Sequence, residues 1–181
     1  MRKINIHLTV DDTTDHYVRL INKGICNVAR SAIRFDGNSP AFPHITLTMG
    51  YMKEDAEDDE ILTVIFSKAM SIGPQRLKIL PPFLDKGRNY ILSAVEGGDI
   101  ARIKTDFMDI LTPFLDMKSN HSKTPHMTFG CLENNDDIPA VEKFLAQCQN
   151  EFMCTGHFIE LSDAGPNGTC INSRYKIKLQ G

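Results

Sequence analysis

Pro43-His44-Ile45-Thr46-Leu47 and Pro125-His126-Met127-Thr128-Phe129 are two widely separated stretches with one pattern: proline, histidine, an apolar residue, threonine and another apolar residue. Because successive side chains of a β-strand point to opposite faces, the histidine and threonine of each stretch share one face. The pattern predicts two strands that each present an imidazole and a hydroxyl to the same side. If the two strands face each other, they bring together the groups that acid–base chemistry on a phosphodiester requires.

The composition is that of an ordinary globular chain. The 181 residues are 41% hydrophobic and 24% charged, which suits one domain or two closely packed lobes. The net charge of −3 does not favour binding along extended duplex nucleic acid, whereas a nucleotide or a short oligonucleotide could bind at a local basic site. No apolar run reaches the length of a membrane span, and residues 1–5 lack the apolar stretch of a signal peptide. We expect a cytoplasmic monomer without membrane contact.

The cysteines give no indication of a metal site. The five cysteines have no metal-type spacing such as C-x-x-C, which favours reduced and mostly packed thiols. His126 and Cys131 could begin a zinc site, but the sequence offers no convincing third and fourth ligands. We therefore predict chemistry without a metal or a cofactor.

Hydrophobic periodicity predicts that each half of the chain runs strand, helix, motif strand, helix, strand. The first half is predicted to contain a strand over 3–10, a helix from about 13 to 34, the motif strand over 44–52, a helix up to about 72 and a strand over 75–83. The second half is predicted to contain a strand over 90–95, a helix over 99–114, the motif strand over 126–132, a helix over 138–148, a strand over 151–161 and a last strand over 171–179.

The corresponding positions of the two motifs predict an α+β fold made of two related lobes, about 1–85 and 86–181, with possible exchange of strands between them. Each lobe is expected to be a mainly antiparallel sheet with helices on its outer face. The two uncovered sheet faces would then meet across a central cleft. One continuous sheet is the alternative.

Two histidines suffice for the cleavage of a phosphodiester. A neutral imidazole accepts a proton from the nucleophile, and a charged imidazole donates one to the leaving oxygen. Histidine suits both roles because its ordinary pKa lies near neutrality. The stiff, β-branched threonines would supply hydroxyl donors for the charge that develops on the phosphoryl oxygens. The sequence therefore predicts His44, Thr46, His126 and Thr128 as the catalytic residues and leaves open which histidine is the acid.

With these motifs, the duplication and the length, the chain resembles the two-histidine (2H) phosphoesterase superfamily. That superfamily includes RNA 2′,3′-cyclic phosphodiesterases, the bacterial 2′-5′ RNA ligase group, 2′-5′ oligoadenylate phosphodiesterases and phage enzymes that destroy cyclic oligonucleotide signals. The resemblance implies a bilobal α+β fold, metal-independent catalysis and the same four catalytic residues. Gly50 and the region from Phe83 to Tyr90 are similar to the ligase-like branch.

One position departs from the ligase-like pattern. There the second motif usually continues through a small residue to an arginine associated with phosphate contact, and Cys131 stands at that position here. The departure favours a divergent branch. Lys123, Arg88, Arg174 or Lys176 could supply the missing charge, and each of them could equally be a solvated surface cation.

Two further residues are predicted to bind substrate. Tyr90 could stack on a base, since every base offers a π-face. His7 shares the polar face of the first strand with Asn5 and Thr9. If that strand and the first motif strand belong to one sheet, His7 lines the same cleft as His44 and contacts substrate rather than transferring a proton. The alternative is an exposed histidine at the sheet edge.

A different function class is a catalytically silent nucleotide-binding or scaffold domain with the same fold. The intact histidine and threonine of both motifs argue against it. A serine or cysteine hydrolase is disfavoured because the chain has no Gly-x-Ser-x-Gly elbow and no cysteine in a nucleophile context. Among substrates, cyclic phosphates, 2′-5′ linkages and cyclic oligonucleotides all remain open at the level of sequence.

Overall fold

The computed structural model describes residues 1–117 and 124–180. The helices of this part are α1 (Asp12–Val28), α2 (Asp58–Ala69), α3 (Ile100–Leu111) and α4 (Ile138–Leu145). The strands are β1 (Lys3–Leu8), β2 (Ile45–Met52), β3 (Gln75–Ile79), β4 (Phe83–Asp85), β5 (Tyr90–Glu96), β6 (Leu115–Asp116), β7 (His126–Cys131), β8 (Phe152–Gly156), β9 (Phe158–Ala164) and β10 (Cys170–Lys178). None of the described helices is long and apolar enough to cross a membrane.

The described strands form one connected sheet in the order β10-β9-β1-β2-β7-β5-β3-β8, with β6 beside β2 and β4 beside β5. The neighbouring strands pair antiparallel. The two motif strands, β2 and β7, are neighbours in the middle of this order, where Ile45 pairs with Met127. The predicted α+β class with mainly antiparallel strands is confirmed. In place of two separate sheets, the structure has one continuous sheet, which is the alternative that the sequence left open.

Strands are exchanged between the two halves of the sequence. β9 and β10, from the second half, continue the sheet beyond β1, whereas β3, from the first half, lies between β5 and β8. Such long-range pairing leaves no signature in local periodicity, because the alternation of a strand does not identify its neighbour.

The first helix ends earlier than periodicity predicts. Asp11 caps α1 by accepting a hydrogen bond from the Thr14 amide at 2.8 Å, and the helix ends at Val28 instead of near residue 34 because Ala29 is extended. The segment that follows is fixed by the buried side chain of Asn22. Its amide donates to the carbonyls of Ile33 at 2.9 Å and Phe129 at 2.7 Å. This bonding ties both the segment and β7 to α1.

Two predicted strands are each divided in the structure. The predicted strand 75–83 becomes β3 and β4, because Pro81 and Pro82 lack the amide hydrogens that a ladder needs. The predicted strand 151–161 becomes β8 and β9, which pair with β3 and β1 respectively. The break follows Gly156, where a Cβ atom would lie 2.4 Å from Leu8 Cδ2.

The last strand is irregular. Its register shifts on either side of Ser173, and Asn172 has a φ of 50°. The alternating face predicted for residues 171–179 is therefore interrupted, and residues 172–176 are all exposed.

Candidate active site

The two motifs meet at the junction of β2 and β7. Ile45 and Met127 pair across the junction, and both side chains are fully buried. In an antiparallel pair, this register sets His44 opposite Thr128 and Thr46 opposite His126, on the face away from the core. The two histidines are then diagonal neighbours, which in a regular ladder lie roughly 7–8 Å apart, with a somewhat shorter distance between their Cβ atoms. The register thus places the four motif residues side by side; Thr46, His126 and Thr128 line the cleft described below, whereas His44 is not part of its wall.

Each motif histidine is oriented by the same local hydrogen bond. His44 Nδ1 lies 2.9 Å from the carbonyl oxygen of Phe42, and His126 Nδ1 lies 2.9 Å from the carbonyl oxygen of Thr124. Because a carbonyl only accepts, Nδ1 carries the hydrogen in both rings, which leaves Nε2 as the nitrogen that exchanges protons. The intervening Pro43 and Pro125 have a fixed φ and no amide hydrogen. This rigidity gives a physical reason for proline before each histidine.

A β-bulge follows each motif threonine. Beside β1, the register passes from His7–Thr46 to Ile6–Thr48 and leaves Leu47 unpaired. Beside β5, it passes from Leu92–Thr128 to Ile91–Gly130 and leaves Phe129 unpaired. A bulge re-aims the side chains that follow it, so the duplication extends from the motif to the backbone irregularity after it.

The first bulge corrects the predicted faces of the motif strand. Strict alternation places Thr48 on the catalytic face and Met49 on the core face. In the structure Met49 and Tyr51 line the cleft, whereas Thr48 is fully buried. Met49 and Tyr51 are not recognisable as cleft residues in the sequence, because a single extra residue in β2 reverses the alternation after it.

Two buried polar residues hold the first motif strand in place. Asn5 Nδ2 donates to Thr46 Oγ1 at 3.2 Å, so the hydroxyl hydrogen of Thr46 remains available for another acceptor. Lys104 of α3 is almost completely buried, and its Nζ donates to the carbonyls of Thr46 at 2.8 Å and Leu47 at 3.2 Å. Burial lowers the pKa of Lys104 to about 8. Lys104 is not recognisable as a site residue in the sequence, since it is one lysine on a helix whose buried positions are otherwise apolar.

The surroundings of both histidines favour their neutral forms. Burial, followed by the charge of His7, lowers the pKa of His44 to about 3, although hydrogen bonds to the backbone of Phe42 and Gly168 act in the opposite direction. The His44 side chain is only 8% exposed. Burial also lowers the pKa of His126, with smaller contributions from the positive charges of Lys104 and Arg88. Desolvation is thus the main cause in both cases.

A cleft of about 360 Å³ opens over Thr46, His126 and Thr128. Its walls carry two cations and two aromatic rings that lie outside the motifs: Lys3, Arg88, Tyr51 and Tyr90. Lys3 pairs with Tyr51 across β1 and β2, and its Nζ lies 5.7 Å from the centre of the Tyr51 ring. Gly50 is also part of the wall, and its lack of a side chain lets β6 approach, since a Cβ there would lie 2.9 Å from the Asp116 carbonyl oxygen.

Only some of the predicted substrate-binding residues line the cleft. Tyr90 and Arg88 line the cleft. The Tyr90 hydroxyl donates to the Asn167 carbonyl at 3.3 Å, and Arg88 pairs with Asp85 at 2.7 Å. Arg174 is not part of the cleft wall, and its guanidinium is held by Asp163 at 2.7 Å on the outer side of β10. Lys123 lies outside the described residues.

The predicted position of His7 is partly corrected. Its ring centre lies 5.1 Å from that of His44, so the two side chains are neighbours as the shared strand face predicts. The side chain nevertheless has no exposed area. His7 therefore contacts His44 instead of lining the cleft, because residues 42–44 cover the polar face of β1 at this point.

Cys131 is buried and pairs with Tyr90 across β5 and β7. Burial, as the main cause, raises the pKa of its thiol. The position where the ligase-like pattern has arginine therefore carries a neutral side chain here. Within residues 1–117 and 124–180, no group of three or more histidine, cysteine, aspartate or glutamate side chains is arranged to hold a metal ion.

The fold is similar to that of several solved structures. TT0787 from Thermus thermophilus aligns with a TM-score of 0.72 at 11% identity, over 99% of this chain and 98% of that one. A crystal structure of a phosphoesterase aligns with a TM-score of 0.59 at 9% identity over the whole of both chains. E. coli LigT complexed with phosphate aligns with a TM-score of 0.53 at 9% identity, over 99% of this chain and 98% of that one.

Neither a protein-family model nor a curated protein sequence matches the chain. At such low identities the structural likeness concerns the fold. The chain shares the fold of these three structures.

Proposed function

We propose that the protein is a metal-independent phosphodiesterase that hydrolyses a phosphodiester of a nucleotide or a short oligonucleotide. The observation that carries the proposal is the meeting of two His-x-Thr motifs in one register, with Ile45 paired to Met127. The mirrored Nδ1 bonds at 2.9 Å support it, because they leave both Nε2 atoms as the proton-exchanging nitrogens. One imidazole accepts the proton of the attacking hydroxyl or water while the other donates to the leaving oxygen.

The threonines complete the proposed mechanism as donors to the phosphoryl oxygens. Asn5 donates to Thr46 Oγ1, so the Thr46 hydroxyl has its own hydrogen to offer to a negatively charged oxygen. Preorganised donors of this kind stabilise the charge that develops in the transition state. Lys104, fixed to the backbone of Thr46 and Leu47, adds a positive charge behind the same strand.

The cleft walls support a nucleotide as the substrate. Tyr51 and Tyr90 offer aromatic faces for bases, and Lys3 and Arg88 offer positive charge for phosphates. These cations take the place that the arginine after the second motif has in the ligase-like pattern. The candidate substrates are 2′,3′-cyclic phosphates, 2′-5′ linkages and cyclic oligonucleotides.

The test is a turnover screen of these three substrate classes in excess chelator, with the exposed His157→Gln variant as the matched control for a histidine change. We expect hydrolysis of at least one class, with a bell-shaped pH profile, because the two histidines must hold opposite protonation states. Activity that disappears in chelator and returns with a divalent ion would contradict the mechanism. Tight binding of nucleotides without turnover of any class would favour the silent binding domain.

A further inference from the structure

His7 lies directly behind His44 and has no exposed area. The two ring centres are 5.1 Å apart in an edge-to-face arrangement, and the Phe42 ring centre lies 5.5 Å from that of His7. A histidine without exposed surface has no direct contact with a substrate in the cleft. Any influence of His7 on the site passes through its neighbours, which are His44 at its ring and Thr46 opposite it on β2.

Both ring nitrogens of His7 face polar groups of the neighbouring strands. Nε2 lies 3.7 Å from Oε2 of Glu160 on β9, and Nδ1 lies 3.4 Å from Sγ of Cys170 on β10. Burial raises the pKa of the Cys170 thiol well above its ordinary value. The thiol therefore stays protonated, and its sulfur is a weak acceptor for a hydrogen on Nδ1, while a hydrogen on Nε2 faces the carboxylate.

Glu160 is a carboxylate held on several sides. Ser173 Oγ donates to Oε2 at 2.8 Å, and Lys176 Nζ lies 3.0 Å from Oε1. Burial acts to raise the pKa of Glu160, but the interactions with His7, Ser173 and Lys176 outweigh it and lower the pKa to about 2. A buried carboxylate requires positive partners, and His7 is the partner that connects it to His44.

We propose that His7 and Glu160 form a buried charge pair that positions His44 and keeps it unprotonated, so that His44 is the proton acceptor and His126 the proton donor. A proton on His7 opposes a second proton on the adjacent ring, because two positive charges about 5 Å apart repel strongly in a buried environment. The roles of acceptor and donor rest on the proposed function, whereas the charge pair itself does not.

The other charged groups near the two catalytic histidines are consistent with this division. His44 is packed against His7 on one side and faces His126 on the other. His126 is more exposed than His44 and faces Lys104 and Arg88. A substrate phosphate binds on that exposed side, and its negative charge stabilises the protonated form of His126.

The test is a nitrogen-15 NMR titration of the histidine rings in the full chain without substrate. In the parent protein, we expect hydrogens on both ring nitrogens of His7 and a His44 ring that stays neutral down to about pH 4. In His7→Gln, the titration midpoint of His44 should move upward by about 1 pH unit or more, since a nearby positive charge is lost. In Glu160→Gln, His7 should lose one of its two nitrogen hydrogens, because the carboxylate that pairs with the ring is gone. His157→Gln should change neither the midpoint of His44 nor the hydrogens of His7.

A His7 ring with a hydrogen on only one nitrogen in the parent spectrum, or an unchanged His44 midpoint in His7→Gln, would overturn the proposal. The parent spectrum alone decides whether His7 is charged, so the proposal remains testable even if His7→Gln does not fold. The titration uses no substrate and is therefore independent of the proposed function.

The acid limb of the pH profile of kcat/KM tests the assignment of His44 as the proton acceptor. It should move upward in His7→Gln by the same amount as the NMR midpoint of His44, with KM above the shifted limb within about twofold of the parent. A several-fold rise in KM with an unchanged pH profile would contradict the positioning role and favour direct substrate contact by His7. An intact charge pair without hydrolysis of any of the three substrate classes would instead refute the proposed function.

Discussion

Acidification should destabilise the folded protein through His44. The pKa of this ring falls from its ordinary value of 6.5 to about 3 in the folded state, mainly because of burial. Below pH 6.5 the unfolded chain binds a proton that the folded protein does not, so the stabilising contribution is complete above pH 6.5 and decreases as pH falls towards 3. Between pH 7 and pH 4.5, linkage gives a loss of about 2.5 kcal/mol from this one group.

The assay is urea denaturation of the parent and of His44→Gln at both pH values. The introduced glutamine does not titrate, so the variant should lose about 2.5 kcal/mol less stability than the parent on acidification, whatever its stability at pH 7. The exposed His16→Gln is the control and should lose as much as the parent. Equal losses in the parent and in His44→Gln would refute the conclusion that His44 is buried in its neutral form.

Two other changes follow from the site geometry. Thr46→Val and Thr128→Val should each reduce kcat/KM, chiefly through kcat, by an amount equivalent to about 1–4 kcal/mol; steady-state kinetics with unchanged kcat in both would show that the hydroxyls do not act on the transition state. Gly50→Ala should lower the free energy of unfolding by about 1–3 kcal/mol, because its Cβ would lie 2.9 Å from a backbone oxygen of Asp116. Gly37→Ala, where nothing lies within 4 Å of the added atom, is the control in the same urea titration, and equal stability of the two variants would contradict the close approach of β6.

Local sequence patterns predicted most of the elements and the four motif residues that meet at the site. The apolar alternation of β1, the cap at Asp11 and the two His-x-Thr strands depend on interactions within a few residues, and such interactions are visible in sequence. The pairing of Ile45 with Met127 was not visible. The repeated motif nevertheless predicted that the two motif strands lie close together, because two similar strands tend to occupy equivalent places in a duplicated fold.

The features that the sequence did not predict depend on long-range packing. The bulge at Leu47 is defined by the partner strand β1, and it places Tyr51 on the cleft wall. The burial of His7 depends on residues 42–44 and on β9 and β10, which come from distant parts of the chain. Lys104 is apparent only after α3 packs on β2. Each of these features needs tertiary coordinates, since periodicity describes one segment at a time.

The most direct test of the two-histidine mechanism is the turnover of His44→Ala and His126→Ala in excess chelator, with circular dichroism to verify that both variants are folded. The substrate is whichever of the three classes the parent hydrolyses, and His157→Ala is the control. Because acid and base are both required, each active-site variant should lose at least about a hundredfold in kcat. A folded His44→Ala or His126→Ala with turnover close to that of the parent would contradict the account.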